Sequence, residues 1–216
     1  MARERVRISV SPATPRRRPQ QSRARASSEA LQEAFVRVLL ERGFDAMTVR
    51  EVASVAGVGI GTFYDYVSDK QALAALTIHM RVRAMGQGLL ARAESLRGQP
   101  LGQLVPALVE HQIEVTRQEA RVWAALYQLE RQISTPEAYR KNYRRFVEVW
   151  TQALALAADA PDAITLARTV RAVHVMTYGW VVQALLVQGT RVDWHLLTIE
   201  LLRAVQGYLA PPSGNG

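Results

Sequence analysis

The chain has 216 residues, 49% of them hydrophobic and 21% charged, enough to bury a core as one large domain or two small ones. It contains no cysteine, which excludes disulfides and cysteine metal sites and makes a reducing cytoplasm the simplest setting. The formal charge of +8 is unevenly placed: residues 1–26 hold eight arginines against Glu4 alone, a net +7, leaving +1 for the rest.

A basic arm on a nearly neutral body points to a polyanion, or else to a solvated tail with no partner. Charge alone leaves both readings open. No apolar run approaches the roughly 20 residues of a membrane helix. No apolar segment follows the charged N-terminus to make a secretory signal. No membrane partner is expected.

Residues 1–26, with Pro12, Pro15 and Pro19 and little apolar periodicity, read as a disordered basic arm. From Ser27 the apolar residues Leu31, Ala34, Phe35, Val38 and Leu39 recur at helical spacing. Ser27 or Ser28 caps this helix and Gly43 ends it. Thr48 and Glu51 then form a T-x-x-E capping box before a short helix, which Gly57 closes. A second short helix is predicted over Ile60–Tyr66. Ser68 and Gln71 form another capping box, opening a long helix through about Leu96.

The segment 97–100, "RGQP", breaks that helix. Helices follow over about 101–118 and 120–132, although Gly102 and Pro106 blur the start of the first. Thr135 with Pro136 starts a helix running to about Ala158. Pro161 starts another, reaching about Val187 before Gly189. Asp193 caps the last, which ends near Gly207, and residues 211–216 are a frayed tail. No segment alternates with period two, so the predicted class is all-α. The expected domains are the arm at 1–26, a helix-turn-helix at 27–73, a helical body at 74–210, and the tail.

The stretch "AGVGIGTFYDYV", 56–67, admits two readings. A dinucleotide-binding loop needs G-x-G-x-x-G between a strand and a helix. Here position 62 is threonine, a capped helix precedes the glycines, and no Gly-Lys-Ser/Thr follows. A helix-turn-helix accounts for more. Gly57 makes the turn. Gly59 and Gly61 let a backbone approach phosphates or base edges, at a cost to helix stability of about 1 kcal/mol each. Ile60 offers an apolar contact to a thymine methyl, and Thr62 a hydrogen bond. Tyr64, Tyr66 and Lys70 offer hydroxyls and a cation to the DNA backbone. Phe63 and Val67, at i and i+4, are assigned to the core.

At this point the segment "LLERGFDAMTVREVASVAGVGIGTFYDYVSDKQAL", 39–73, resembles the tetracycline-repressor (TetR) family of transcription regulators. The matching residues are Gly43, Phe44, Thr48, Val52, Ala53, Ala56, Gly57, Val58, Thr62, Tyr64, Lys70 and Leu73. Gly59 departs where serine or threonine is common, and Val67 where phenylalanine is common. The resemblance implies that Thr48 and Arg50 touch phosphate or a base. It also implies that the third helix enters the major groove and that Lys70 clamps a phosphate. The protein would bind a double-stranded palindromic operator as a homodimer. The arginine arm would then reach a minor groove.

Beyond about residue 90 no family motif is present. The resemblance implies an all-α domain for effector binding and dimerisation, with the last two long helices forming a four-helix bundle across the dimer. The segments 163–187 and 194–209 are long, apolar and low in charge; they read as a surface too large to leave bare on a monomer, or else as the core of one domain. His111, Trp123 and Tyr127, on the middle helices, are the candidate effector-pocket residues.

No residue is singled out as catalytic or metal-ligating and no cofactor is implied. E-x-x-H, H-E-x-x-H and G-x-S-x-G are all missing, and the four histidines are far apart. The reading is therefore a DNA-binding regulator, most simply a repressor released by a small lipophilic effector. The alternative is an all-α ligand-binding protein or enzyme that retains an unused helix-turn-helix.

Overall fold

A computed structural model describes residues 19–210, with side chains from Arg23 onward. The described residues form nine α-helices and no strand. These are α1 (Pro19–Ala46), α2 (Val49–Val55), α3 (Ile60–Tyr66), α4 (Lys70–Ser95), α5 (Leu101–Gln118), α6 (Ala120–Ile133), α7 (Pro136–Leu154), α8 (Ala163–Gln188) and α9 (Trp194–Leu209), with a 3-10 turn at Gly189–Arg191.

Helix α1 starts eight residues before the expected Ser27. Pro19 stands at its first position, where a missing N–H costs nothing, and no breaker follows. Arg25 donates to Glu29 one turn on, at 2.8 Å. Residues 19–26, expected in the arm, are therefore helical. Residues 1–18 and the 211–216 tail lie outside the described residues. Gly43 leaves the helix at φ 76°, in the left-handed region that suits glycine.

The expected cap of α4 is also corrected. Asp69, not Ser68, is the N-cap: its carboxylate accepts from the Ala72 N–H at 2.8 Å, while the Ser68 hydroxyl donates to that same carboxylate. An acid serves this position better because its charge meets the positive end of the helix dipole. The helix expected to start at Pro161 starts instead at Ala163. There the Asp162 carboxylate accepts from the N–H groups of Ile164 and Thr165. Helix α5 begins at Leu101 and keeps Pro106 near its first turn.

Two hydrophobic cores divide the molecule. The first gathers Leu31, Phe35, Val38, Met47, Val52, Phe63, Leu73 and Ile78 from α1 to α4. The second gathers Leu89, Leu104, Leu108, Trp150, Val173, Leu185, Leu201 and others from α4 to α9. Helix α4 runs unbroken through both, giving Leu73, Ala74 and Ile78 to the first and Met85, Leu89 and Ala93 to the second. Helix α6 is also shared. Leu126 and Leu129 enter the first core, while Trp123 and Tyr127 enter the second.

Helix α8 corrects the expectation about membrane length. The segment Ala163–Arg191 is long and apolar enough to cross a bilayer, with mean hydropathy 1.3. However, α8 packs against α6, α7 and α9, and 44% of its 18-residue apolar stretch is buried inside the fold.

The end of α1 is fastened to the start of α4 by Lys70. Its ammonium donates to the carbonyls of Phe44 at 2.9 Å, Asp45 at 3.2 Å and Met47 at 3.1 Å, and lies 4.7 Å from the centre of the Phe44 ring. Three donors meet three carbonyls left without helix partners beyond Gly43. Lys70→Met keeps the stem and removes these charge-assisted bonds. A loss of about 2 kcal/mol is expected, which is a Tm lower by about 4–8 °C in a thermal melt. An unchanged Tm would show that the clamp contributes nothing.

Candidate functional site

Helix α3 is built two-faced. Phe63 is fully buried and Val67 nearly so, and both pack into the first core. On the other side Ile60 is 44% exposed and Tyr64 57% exposed. Gly59 caps the helix with backbone alone, as its missing side chain requires. A Cβ built on Gly59 or Gly61 would meet nothing within 4 Å. The fold itself therefore does not require glycine at either position.

The expected DNA-facing residues do not all lie on that face. Ile60, Tyr64, Gly59 and Gly61 are exposed together, and Thr62 is half-buried beside them. Tyr66 is half-buried and packs against the first core. The reason is helical spacing: Tyr66 lies three residues from Phe63 and shares its inward face. Lys70 is turned inward onto the three carbonyls, so its donors are taken in this structure. Thr48 and Arg50 are exposed at the start of α2. The Thr48 hydroxyl accepts from the Glu51 N–H at 3.2 Å, while the Glu51 carboxylate pairs with Arg42 at 3.2 Å. Only half of the expected capping box forms, because an arginine from α1 takes the carboxylate.

The second feature is a cavity in the body, partly open to solvent. Helix α6 supplies Trp123, Tyr127 and Glu130 at spacings of four and three, so one stripe faces inward. Helix α7 adds Tyr139, Asn142, Tyr143 and Phe146, again one stripe. Helix α8 adds His174 and Tyr178, α4 adds Val82 and Met85, and α5 adds Gln112. The aromatic rings form a connected wall. Trp123 and Tyr127 lie 5.6 Å apart, Tyr127 and Tyr178 5.9 Å, Tyr178 and His174 5.9 Å, and His174 and Phe146 5.3 Å between centroids. Such separations are ordinary for stabilising aromatic pairs.

Of the three expected pocket residues, Trp123 and Tyr127 line the cavity and His111 does not. His111 turns toward α4 instead, where its Nε2 lies 3.1 Å from the position of a Cβ on Gly88. Its neighbour Gln112 faces the cavity. Sequence reasoning missed Glu130, Asn142 and Gln112. The signal available was the spacing: Glu130 falls on the Trp123–Tyr127 stripe, where an acid is out of place on an inward face.

Polar atoms in the cavity are under-satisfied. The Gln112 Oε1, the Trp123 Nε1 and the His174 Nδ1 are buried without a hydrogen-bond partner among the described residues. Glu130 is 7% exposed, accepts one 3.3 Å bond from the Asn142 amide, and has no basic partner among the described residues within ion-pair distance. Burial raises its pKa above the usual carboxylate value, against smaller lowering by Asn142 and Arg131. Burial, and then the nearby Glu130 charge, raise the Tyr127 and Tyr178 phenols. Burial lowers the His174 imidazole from 6.5 to about 4, so it is neutral at physiological pH.

Comparisons with known proteins bear on the helix-turn-helix segment and on the fold. Residues 32–76 match the family model described as "Bacterial regulatory proteins, tetR family". No curated protein matches the chain in sequence. Among solved structures, a TetR-family transcriptional regulator of Mesorhizobium loti superposes with a TM-score of 0.71 at 13% identity, covering 87% of this chain and 96% of that one. The transcriptional regulator FadR from Bacillus subtilis, solved in complex with stearoyl-CoA, gives a TM-score of 0.64 at 16% identity, over 82% and 96% of the two chains. SmeT, in a complex with triclosan, gives 0.60 at 18% identity over 83% and 91%. Identities this low speak to the fold.

The His174 shift makes stability depend on pH. With its folded pKa lowered, the imidazole costs nothing above about pH 6.5. Stability is then lost as pH falls from 6.5 toward 4, by roughly 3 kcal/mol in all. His79 and His111, both lowered chiefly by burial, add to the same window, whereas Glu130, raised, acts in the opposite sense. His174→Phe is expected to flatten the fall in Tm between pH 6.5 and 4, measured by thermal melts. An identical slope in the variant would contradict the burial argument. Residues 32–76 thus match the N-terminal model of the TetR family of bacterial regulatory proteins, and the rest of the chain resembles such regulators in fold.

Proposed function

We propose that this protein is a homodimeric transcriptional repressor that holds a palindromic DNA operator with α3 and releases it when a small effector fills the body cavity. The observation that carries the DNA reading is the outward face of α3, with Ile60 and Tyr64 exposed between two glycines that the fold does not need. Close approach to phosphates and base edges gives those glycines a purpose. Thr62 and Tyr64 hydrogen-bond there, Ile60 meets a thymine methyl, and Thr48 and Arg50 hold the flanking backbone. Lys70 positions α4 against the end of α1 and is left out of the contact set. The six arginines of residues 1–18 add salt-sensitive contacts.

Dimerisation is supported by α8 and α9. Ile164, Val175, Trp180 and Val187 on α8, and Leu196 on α9, are all exposed large apolar residues. A second copy packs against α8 and α9 in the proposed dimer and sets the two α3 helices roughly one DNA turn apart, about 34–36 Å. Effector control is supported by the shared helices. An occupant pressing on Trp123 or Tyr127 shifts α6, and α6 also carries Leu126 and Leu129 in the core that supports α3. The ligand complexes of FadR and SmeT belong to those proteins, and they support a small molecule as the occupant here.

A mobility shift with the DNA flanking the protein's own gene tests the reading, and the absence of sequence-specific binding at any salt concentration would defeat it. Gly61→Ala separates function from fold: it is expected to stabilise the protein by about 0.5–1 kcal/mol while weakening operator binding at least about tenfold. Deleting residues 1–18 is expected to lower affinity and flatten its salt dependence, with each lost phosphate contact reducing the log–log slope by about 0.9. An unchanged slope would remove the arm from the interface.

A further inference from the structure

The cavity has a chemical bias that its shape alone does not reveal. None of its lining residues is lysine or arginine. Its one ionisable acid, Glu130, has no cation within ion-pair reach among the described residues, and a single amide bond occupies it. A buried carboxylate is ordinarily paired. Beside it, the Gln112 Oε1 is a buried acceptor with no donor. Trp123, Tyr127, Tyr178 and Phe146 line the same cavity, and their rings are electron-rich above their planes.

The two unpaired acceptors, the Glu130 carboxylate and the Gln112 oxygen, favour a positive ligand group. An anionic group entering here would face Glu130 without a compensating cation. A neutral apolar ligand would fill the space and leave the carboxylate and the Gln112 oxygen unpaired. A positive group would pair with Glu130, and where it carries an N–H it would donate to the Gln112 oxygen. It would also rest against aromatic faces, the arrangement that binds ammonium groups elsewhere.

We propose that the effector cavity selects an organic cation, an ammonium borne on an aromatic or alkyl body, with Glu130 as its counter-ion and the aromatic wall as its cage. This deepens the effector reading above and rests on the same cavity. Glu130 is then the specificity-determining residue, and Asn142 holds its carboxylate in place. The cavity on its own disfavours ligands whose charged end is a phosphate or carboxylate.

The test uses two molecules of one shape, phenyltrimethylammonium and its neutral isostere tert-butylbenzene, with phenylacetate as the anion. Binding to the full-length protein is followed by calorimetry and by tryptophan fluorescence, since Trp123 lines the site. The cation is expected to bind at least about tenfold more tightly than the isostere, with phenylacetate weakest. In Glu130→Gln the preference for the cation is expected to disappear while tert-butylbenzene affinity is unchanged. The wild-type comparison stands by itself if that variant fails to fold.

Equal affinities, tighter binding of phenylacetate, or no saturable binding of the cation at millimolar concentration would overturn the proposal. A mobility shift with the three probes keeps the two readings apart. Cation binding without release of operator DNA supports this proposal and counts against effector control. Release by the neutral or anionic probe, without a cation preference, overturns this proposal and leaves effector control standing.

Discussion

Helix α6 is buried on two sides, and most of what the molecule can do follows from that constraint. Its 14 residues give Leu126 and Leu129 to the core beneath the helix-turn-helix, and Trp123, Tyr127 and Glu130 to the cavity. Close-packed interiors resist small displacements, so a shift of α6 on one side must be accommodated on the other. Arg121 at its start reaches the Leu40 carbonyl of α1 at 3.3 Å, and the Arg81–Glu119 ion pair joins α4 to the residue just before it. The cavity and the core beneath α3 are therefore mechanically adjacent, although α3 itself supplies no residue to the cavity.

Helix α4 supplies the second rigid element. It crosses both cores without a break, and its first residue is the clamp on α1. Lysine at the first turn of a helix normally meets an unfavourable dipole. Here three carbonyls from the preceding segment oppose that dipole and turn the charge inward. The same side chain therefore fixes the angle between α1 and α4, which in turn supports α2 and α3.

Much of the architecture was legible in the sequence because it is local. Capping residues and turn glycines mark helix ends whatever the tertiary context, so α3 matches its predicted span, Ile60–Tyr66. The errors arose where two side chains competed for one role. Asp69 displaced Ser68 as a cap, and Arg42 took the carboxylate expected to close the box at Thr48. The site was less legible. Tyr66 and Lys70 have the chemistry of DNA contacts, yet one faces the core and the other a ring of carbonyls, and only the packing of α1 against α4 decides that. In the cavity, helical spacing placed Trp123 and Tyr127 on one stripe. The contribution of α7 and α8 depends on which helices become neighbours, as Glu130 and Asn142 do across 12 residues and Tyr127 and Tyr178 across 51, which periodicity does not encode.

Helix α3 has a consequence for how recognition can change. Seven residues are too few to hold a helix in water without tertiary support, and the bare Gly59 cap weakens this one further. Phe63 and Val67 supply the anchoring from a single face. Ile60 on the other face is largely exposed, and the Tyr64 ring meets the core only edge-to-face at Phe63, at 5.4 Å between centroids, so exchanges there disturb less of the core than exchanges of Phe63 or Val67. On the proposed function, a descendant could acquire a new DNA sequence preference through surface substitutions on α3 while the cavity, set in a different core, is inherited intact.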